Sequence, residues 1–199
     1  MGLREIKKER TREALVEAAL HLIREKGFEQ TTVAEIAAAA GMSTRTFFLH
    51  FPAKEDVLLV NSEARADLGV AALAASEPGE SVADAITRAV ERMVADTWGK
   101  DMHSDLAGTR AQLIATEPAL QARVLQRLLT TQVALADALL RGHPEMDPAD
   151  AAAVVGAVLG AVNAAAEAAL RGGADPAQVR EAMLRAPRTA ARHLTDGRD

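Results

Sequence analysis

The chain contains no cysteine. That absence excludes a disulfide framework, a thiolate metal site and a cysteine nucleophile, and it fits a reducing compartment. Tyrosine is also absent, and aromatic residues make up only 3% of the 199 positions. Strands favour β-branched and aromatic side chains, and both are too sparse here for a sheet-built protein. No uncharged run is expected to be long enough to span a bilayer. The longest uncharged stretch, residues 151–166, is mostly Ala and Gly and falls short of the ~20 apolar residues a span needs. The opening residues scatter charges where a secretory leader needs an apolar run, so no leader and no membrane association is expected. Enzyme signatures are missing as well: there is no G-x-S-x-G, no H-E-x-x-H, no P-loop and no G-x-G-x-x-G. The expectation is a cytoplasmic protein that is not an enzyme and carries no cofactor.

What is present is alanine, the best helix former, within a globular balance of 49% hydrophobic and 26% charged residues. The expected fold class is all-α, with about nine helices and no repeats. A first helix, Thr11–Lys26, places Leu15, Ala19, Leu22 and Ile23 on one face and stops at Gly27. Thr32 and Glu35 read as a capping box opening a short helix, Val33–Ala40, which Gly41 ends. Ser43 can cap a third helix, Thr44–His50, closed by Pro52. A long helix is expected from Ala53 to about Ser76, then an amphipathic one over Ser81–Trp98 with a break at Gly99–Ser104. Further helices follow near Asp105–Thr116, along Leu120–Leu139 up to Gly142, from Asp147-Pro148 to Gly172-Gly173, and from Asp175-Pro176 onward. Pro187 is expected to kink or divide the last of these.

Charge is distributed unevenly. The net charge is −5. Residues 1–60 hold 9 basic and 9 acidic side chains, whereas residues 61–199 hold 14 basic and 19 acidic ones. Within the neutral part, Arg4, Lys7, Lys8, Arg10 and Arg12 face only Glu5 and Glu9 over the first twelve residues. Such a basic arm on an acidic chain points to a local anionic partner or to a solvated helix start, and charge alone leaves both open.

Residues 28–51 stand apart, because all four Phe of the chain lie there: Phe28, Phe47, Phe48 and Phe51. Two short helices broken at Gly41 form a helix-turn-helix pattern that needs the first helix as a third wall. Phe47 and Phe51, at i and i+4, are the natural plugs, facing Val33, Ile36 and Ala37. Once core positions are removed, Thr44, Arg45, Phe48 and Leu49 remain on the outward face of the third helix. An N-terminal Thr-Arg there suits the major groove: Arg pairs bidentately with guanine, and Thr touches a thymine methyl or a base edge. Thr32 stands at a helix N-terminus, where backbone N–H groups bind phosphate. Lys54 adds a cation at the start of the next expected helix.

The run TTVAEIAAAAGMSTRTFFLHFPAKEDVLL, Thr31–Leu59, closely resembles the DNA-binding signature of TetR-family regulators. The match covers Thr32, Ile36, Ala37, Ala40, Gly41, Ser43, Thr46, His50, Phe51, Lys54 and Glu55. One departure is Phe48, where the family usually has a tyrosine whose hydroxyl contacts a phosphate; Phe48 cannot make that bond. The resemblance implies a DNA-binding domain at residues 1–52 and a ligand-binding, dimerising domain at 53–199. It implies a repressor released from a pseudopalindromic double-stranded operator by a small lipophilic effector. The DNA-facing candidates are then Thr32, Ser43, Thr44, Arg45, Thr46, Phe48, His50 and Lys54. The last two long helices would form a homodimer interface, which Gly156 and Gly160 suit by permitting close backbone approach.

For the effector, the resemblance implies a mostly apolar pocket within residues 53–170. Trp98, His103, Arg110, Gln112 and Asn163 are the polar candidates on otherwise apolar helices. TFFLHFPAKED, with RAQLIATEPALQARVL downstream, looks like the branch with acyl-CoA-like ligand domains; a lipophilic drug-like or antibiotic-like compound is the alternative. Asp101, His103 and Asp105 lie close together in DMHSD, but no further paired His follows and no metal is expected.

Overall fold

The structure is a computed structural model that describes residues 2–60, 62–77, 79–100, 113–114 and 116–195. Among these residues the secondary structure is helical, with no strand. The helices are α1 (Leu3–Lys26), α2 (Val33–Ala39), α3 (Thr44–His50), a 3-10 turn (Lys54–Val57), α4 (Ser62–Ala74), α5 (Val82–Lys100), α6 (Pro118–Gly142), α7 (Pro148–Arg171) and α8 (Pro176–Thr195). The chain divides into two compact units. The first comprises residues 1–60 with 105–126, and the second residues 61–104 with 127–199.

In the first unit α1 begins at Leu3, well before the expected Thr11. Its inward face is Leu15, Val16, Ala19, Leu20 and Ile23, with Leu22 half-buried at the margin. Phe28, Phe47 and Phe51 fill the space between α1, α2 and α3 and are all fully buried. Each contributes about 2 kcal/mol of transfer free energy. Leu120 from α6 closes the same core. Gly41 has a φ of +69°, the left-handed region in which a side chain is strained. That conformation lets Met42 donate its N–H to the Ala37 carbonyl at 2.8 Å and turns the chain into α3.

A continuous helix over residues 53–76 does not form. A 3-10 turn occupies Lys54–Val57, and α4 starts only at Ser62. The reason is burial. Val57, Leu58, Leu59 and Val60 are all buried, and four consecutive residues cannot share one face of an α-helix. The tight turn is fixed by Asp56, whose Oδ2 accepts the Ala53 N–H at 3.0 Å.

The second unit is an aliphatic bundle of α4, α5, the later part of α6, α7 and α8. Leu73, Ile86, Val90, Leu135, Leu139, Val155 and Leu159 are central to its core. Gly69 marks a close approach: a Cβ there would lie 2.6 Å from the Met93 sulfur and 2.9 Å from a Leu135 methyl. A bulkier residue would therefore overpack the site. Arg88 ties the end of α4 to the start of α5. Its guanidinium donates to both Glu80 carboxylate oxygens (2.9 and 2.7 Å), to the Ala72 carbonyl and to Ser76 Oγ at 3.4 Å. A cation at a helix C-terminus also meets the negative end of the helix dipole. Asp147 caps α7, accepting the N–H groups of Ala149 and Asp150 at 2.8 and 3.4 Å.

Two further boundaries differ from expectation. α5 continues through Gly99 to Lys100, so no break opens at Gly99. α8 is not divided, because Pro187 lies inside it. Ala186 is buried in the core, with Met183 and Leu184 packed against it. That packing holds the helix through the position where a backbone donor is missing.

Candidate nucleic-acid interface

α2 and α3 are held in place by their caps. Thr32 and Glu35 form a reciprocal capping box: Thr32 donates its N–H to Glu35 Oε2 at 2.9 Å, and Thr32 Oγ1 accepts the Glu35 N–H at 3.3 Å. Lys26 Nζ donates to the other carboxylate oxygen, Oε1, at 2.5 Å. The Lys26 ammonium first, then the Thr32 bonds, push the Glu35 pKa down to about 2. Thr32's own N–H is thus already satisfied by a carboxylate. Ser43 caps α3 by accepting the Thr46 N–H at 3.1 Å, and the two hydroxyls lie 2.9 Å apart.

With Phe47 turned inward, α3 presents Thr44, Arg45, Phe48 and Leu49 to solvent. Phe48 is 55% and Leu49 72% exposed. A large exposed phenyl and leucyl pair beside an exposed Thr-Arg is costly for a surface that only packs on its own chain. Phe48 is steadied by an edge-on contact with Phe47 at 5.5 Å. His50 closes α3, half-buried, with its Nδ1 buried and unpaired among the described residues. Burial first, then the charges of Arg12 and Lys8, lower its pKa, while Glu9 opposes them. Arg12 lies 4.8 Å over the Phe51 ring.

Lys54 occupies a different place from the other candidates. Its ammonium donates to the Phe28 carbonyl at 2.8 Å and sits 4.1 Å from the centre of the Phe28 ring. Its charge is engaged, half-buried, at Phe28, across a sequence separation no local pattern reveals. The pairing of Asp56 with Arg123, at 2.8 and 2.7 Å, escapes sequence reasoning for the same reason.

The effector candidates are less well placed. Trp98 lies on α5, but its side chain is outside the described residues, as are His103, Arg110, Gln112, Asp101 and Asp105 altogether. Asn163 is exposed on α7. Among the described residues no cluster of metal-ligating side chains occurs. The interior of the second unit holds an apolar void of about 10 Å³ between Leu73, Ile86, Met93, Leu135, Val155 and Leu159.

Comparison with known proteins agrees with this arrangement. The profile described as "Bacterial regulatory proteins, tetR family" matches residues 15–60, and that described as "MftR C-terminal domain" matches residues 80–195. The HTH-type transcriptional regulator TcmR of Streptomyces glaucescens is 37% identical over 129 residues, covering 63% of this chain and 57% of TcmR. The chain thus spans little more than half the length of that relative. A crystal structure of a TetR-family regulator from Mesorhizobium loti superposes with a TM-score of 0.56 at 15% identity, covering 94% of this chain and 97% of the other. Thermus thermophilus FadR, a TetR-family repressor in complex with lauroyl-CoA, superposes with a TM-score of 0.50 at 25% identity, covering 94% and 95%. With a helix-turn-helix built on three buried phenylalanines and an all-helical second unit matched by a TetR-type C-terminal profile, the chain belongs to the TetR family of bacterial regulatory proteins.

Proposed function

We propose that the protein is a ligand-responsive repressor that binds a pseudopalindromic double-stranded operator in the cytoplasm and leaves it when a small lipophilic effector binds. The exposed Thr44-Arg45-Phe48-Leu49 face of α3 carries the reading. It offers a planar fork for guanine, a methyl and a hydroxyl for base edges, and apolar surface for thymine methyls. Ser43, Thr46 and His50 shape the two ends of that helix, and Thr32 caps α2. In this reading residues 1–52 are the DNA-binding domain and 53–199 the ligand-binding and dimerising domain. Band-shift titration of duplexes selected from a random-sequence library, at several salt concentrations, tests it. Salt-dependent binding with a sequence preference supports the reading, and no binding at low salt sinks it.

The effector we propose carries an acyl chain. The second unit has an aliphatic core with Met93, Met146 and Met183 packed against it. Trp98 is the only Phe, Tyr or Trp after residue 52, so planar aromatic ligands find little to stack on. Flexible methionines can move aside for a bulky apolar guest. The lauroyl-CoA complex of the T. thermophilus relative supports the same class. Release of operator DNA by lauroyl-CoA, but not by free CoA, is the expected outcome.

The partner chain is proposed to be a second copy, and α7 supplies the argument. It is long and apolar enough by composition to cross a membrane, yet only 22% of its most apolar window is buried within the chain. Over residues 153–164 its uncovered side is lined by small residues, Ala153, Ala157, Gly160 and Ala164. A Cβ on Gly160 would meet nothing within 4 Å, so nothing inside the chain requires glycine there. Gly160→Leu is therefore expected to fold normally and to separate the dimer in light scattering. A monomeric unmodified protein at micromolar concentration would refute the interface.

A further inference from the structure

The first turns of α1 lie ahead of the residues matched by the family profile. The family match begins at residue 15, whereas α1 begins at Leu3. This part of the chain carries Arg4, Lys7, Lys8, Arg10 and Arg12 against Glu5 and Glu9, a net +3 on a chain of net −5. Everything else therefore sums to −8. The positive charge is not only concentrated but sorted. At 3.6 residues per turn, Arg4, Lys7, Lys8 and Arg12 fall on one side of α1, Glu5, Glu9 and Glu13 on the adjoining side, with Glu5 nearest Arg12, and Arg10 between the two on the far side. Like charges at i and i+4 repel and weaken a helix. Arg4, Lys8 and Arg12 keep that spacing over two full turns. Among the described residues no carboxylate pairs with any of these cations, and Arg4, Lys7 and Lys8 are exposed.

The ridge ends beside the helix that reads DNA. Arg12 stacks over Phe51, the residue that ends α3. Lys8 and Arg12 are near enough for their charges to act on His50. From Arg12 back to Arg4 the ridge runs about 12 Å along the helix axis. Side chains at i and i+4 stand ~6 Å apart, so successive cations of the ridge can each take a separate phosphate of one strand.

We propose that Arg4, Lys7 and Lys8, continued by Arg12, form a second DNA-contacting element that holds backbone phosphates flanking the bases read by α3. The element rests on the reading of α3 as the DNA-reading helix and adds affinity rather than sequence choice. Its cations are long, solvated and without a planar base partner set by neighbouring side chains, which suits phosphates.

The test uses the full chain with Arg4→Gln, Lys7→Gln and Lys8→Gln combined. Arg12 is left in place because it packs on Phe51. Two probes are titrated over a range of salt: a duplex selected by the unmodified protein from a random-sequence library, and an unrelated duplex of the same length. The expected result is a similar loss of affinity on both probes, ten-fold or more at low salt. The slope of log affinity against log salt should fall by roughly one for each phosphate no longer neutralised. Ethylation interference should show flanking phosphates that matter to the unmodified protein and not to the variant. Circular dichroism and dimer state should be unchanged. Affinity and slope equal to the unmodified protein would overturn the proposal and leave the ridge a solvated face. A loss confined to the selected duplex would overturn it too, since that is base reading. Arg45→Ala, measured beside it, reports on α3 separately: the ridge can fail while Arg45→Ala still relaxes preference at one position in each half-site. No binding to either duplex by the unmodified protein overturns both readings.

Discussion

Arg123 of α6 grips Asp56 of the 3-10 turn with two bonds, Nε to Oδ1 at 2.8 Å and Nη2 to Oδ2 at 2.7 Å. The Asp56 side chain is 1% exposed and that of Arg123 26%. The same carboxylate accepts the Ala53 N–H, so one buried acid fixes both the turn after α3 and the first part of α6 within the first unit. Removing the cation strands a buried carboxylate. Arg123→Ala is expected to destabilise the protein by about 3 kcal/mol, the low end for a broken buried pair because the arginine is partly solvated. Asp56→Asn keeps an acceptor for Ala53 and should cost less. Urea denaturation of both variants checks the order; a loss under about 1 kcal/mol for Arg123→Ala would mean that water replaces the pair.

Lys54 behaves as part of the fold. Its ammonium bonds the Phe28 carbonyl and covers the Phe28 ring. A charge-assisted bond of this kind contributes about 1.5 kcal/mol, and the cation–π contact adds roughly 0.5 kcal/mol where solvent reaches it. Lys54→Ala is therefore expected to lower the denaturation midpoint while leaving the salt slope of DNA binding unchanged. Lys54→Met, which keeps the stem on the ring, should recover part of the stability. A salt slope reduced by one with no change in stability would return Lys54 to the phosphates.

Local signals in the sequence are enough for much of this architecture. Thr32 with Glu35, Ser43, Gly41 and Asp147-Pro148 are caps and turns whose partners lie within a few residues, and each is where the helices begin or end. Phe47 and Phe51 are the plugs that their i, i+4 spacing indicates. The region after Pro52 departs from its local pattern because its conformation depends on a partner 67 residues away. Helical propensity favours a continuous helix there, and the burial of Val57–Val60 around the Asp56–Arg123 pair overrides it. The Phe28 contacts of Lys54 are illegible for the same reason: an exposed cation and one folded over a phenyl ring 26 residues back read alike in sequence. Effector specificity is least legible, since a pocket uses few polar groups and no spacing rule ties them together.

Glu35 links acid stability to the helix-turn-helix. Its pKa is pushed down to about 2 by the Lys26 ammonium and the Thr32 bonds. A carboxyl whose folded pKa is depressed contributes stability that is present above its unfolded value and lost as pH falls through the folded one. The window therefore runs from about 4.5 down to about 2. Glu35→Gln should flatten the decline of stability across that window while keeping a partner for the Thr32 N–H. A decline of the same steepness in the variant would assign the acid sensitivity elsewhere.

Arg45 decides whether α3 reads bases or only rests on the backbone. It stands exposed on the first turn of α3, next to Thr44, with the hydroxyls of Ser43 and Thr46 engaged with each other. The N-terminal part of a recognition helix is the part that enters the major groove. There the guanidinium can take both O6 and N7 of a guanine, which no other base pair offers together. Arg45→Ala is expected to cost ~1–3 kcal/mol on the selected duplex and to relax preference at one position in each half-site. Arg45→Lys should keep the charge and most of the non-specific affinity but lose the discrimination, because an ammonium lacks the fork. Titration of single-position operator variants at two salt concentrations separates the cases. If Arg45→Ala lowers affinity by one factor across all variants, the side chain holds a phosphate, and base reading by α3 falls to Thr44, Phe48 and Leu49.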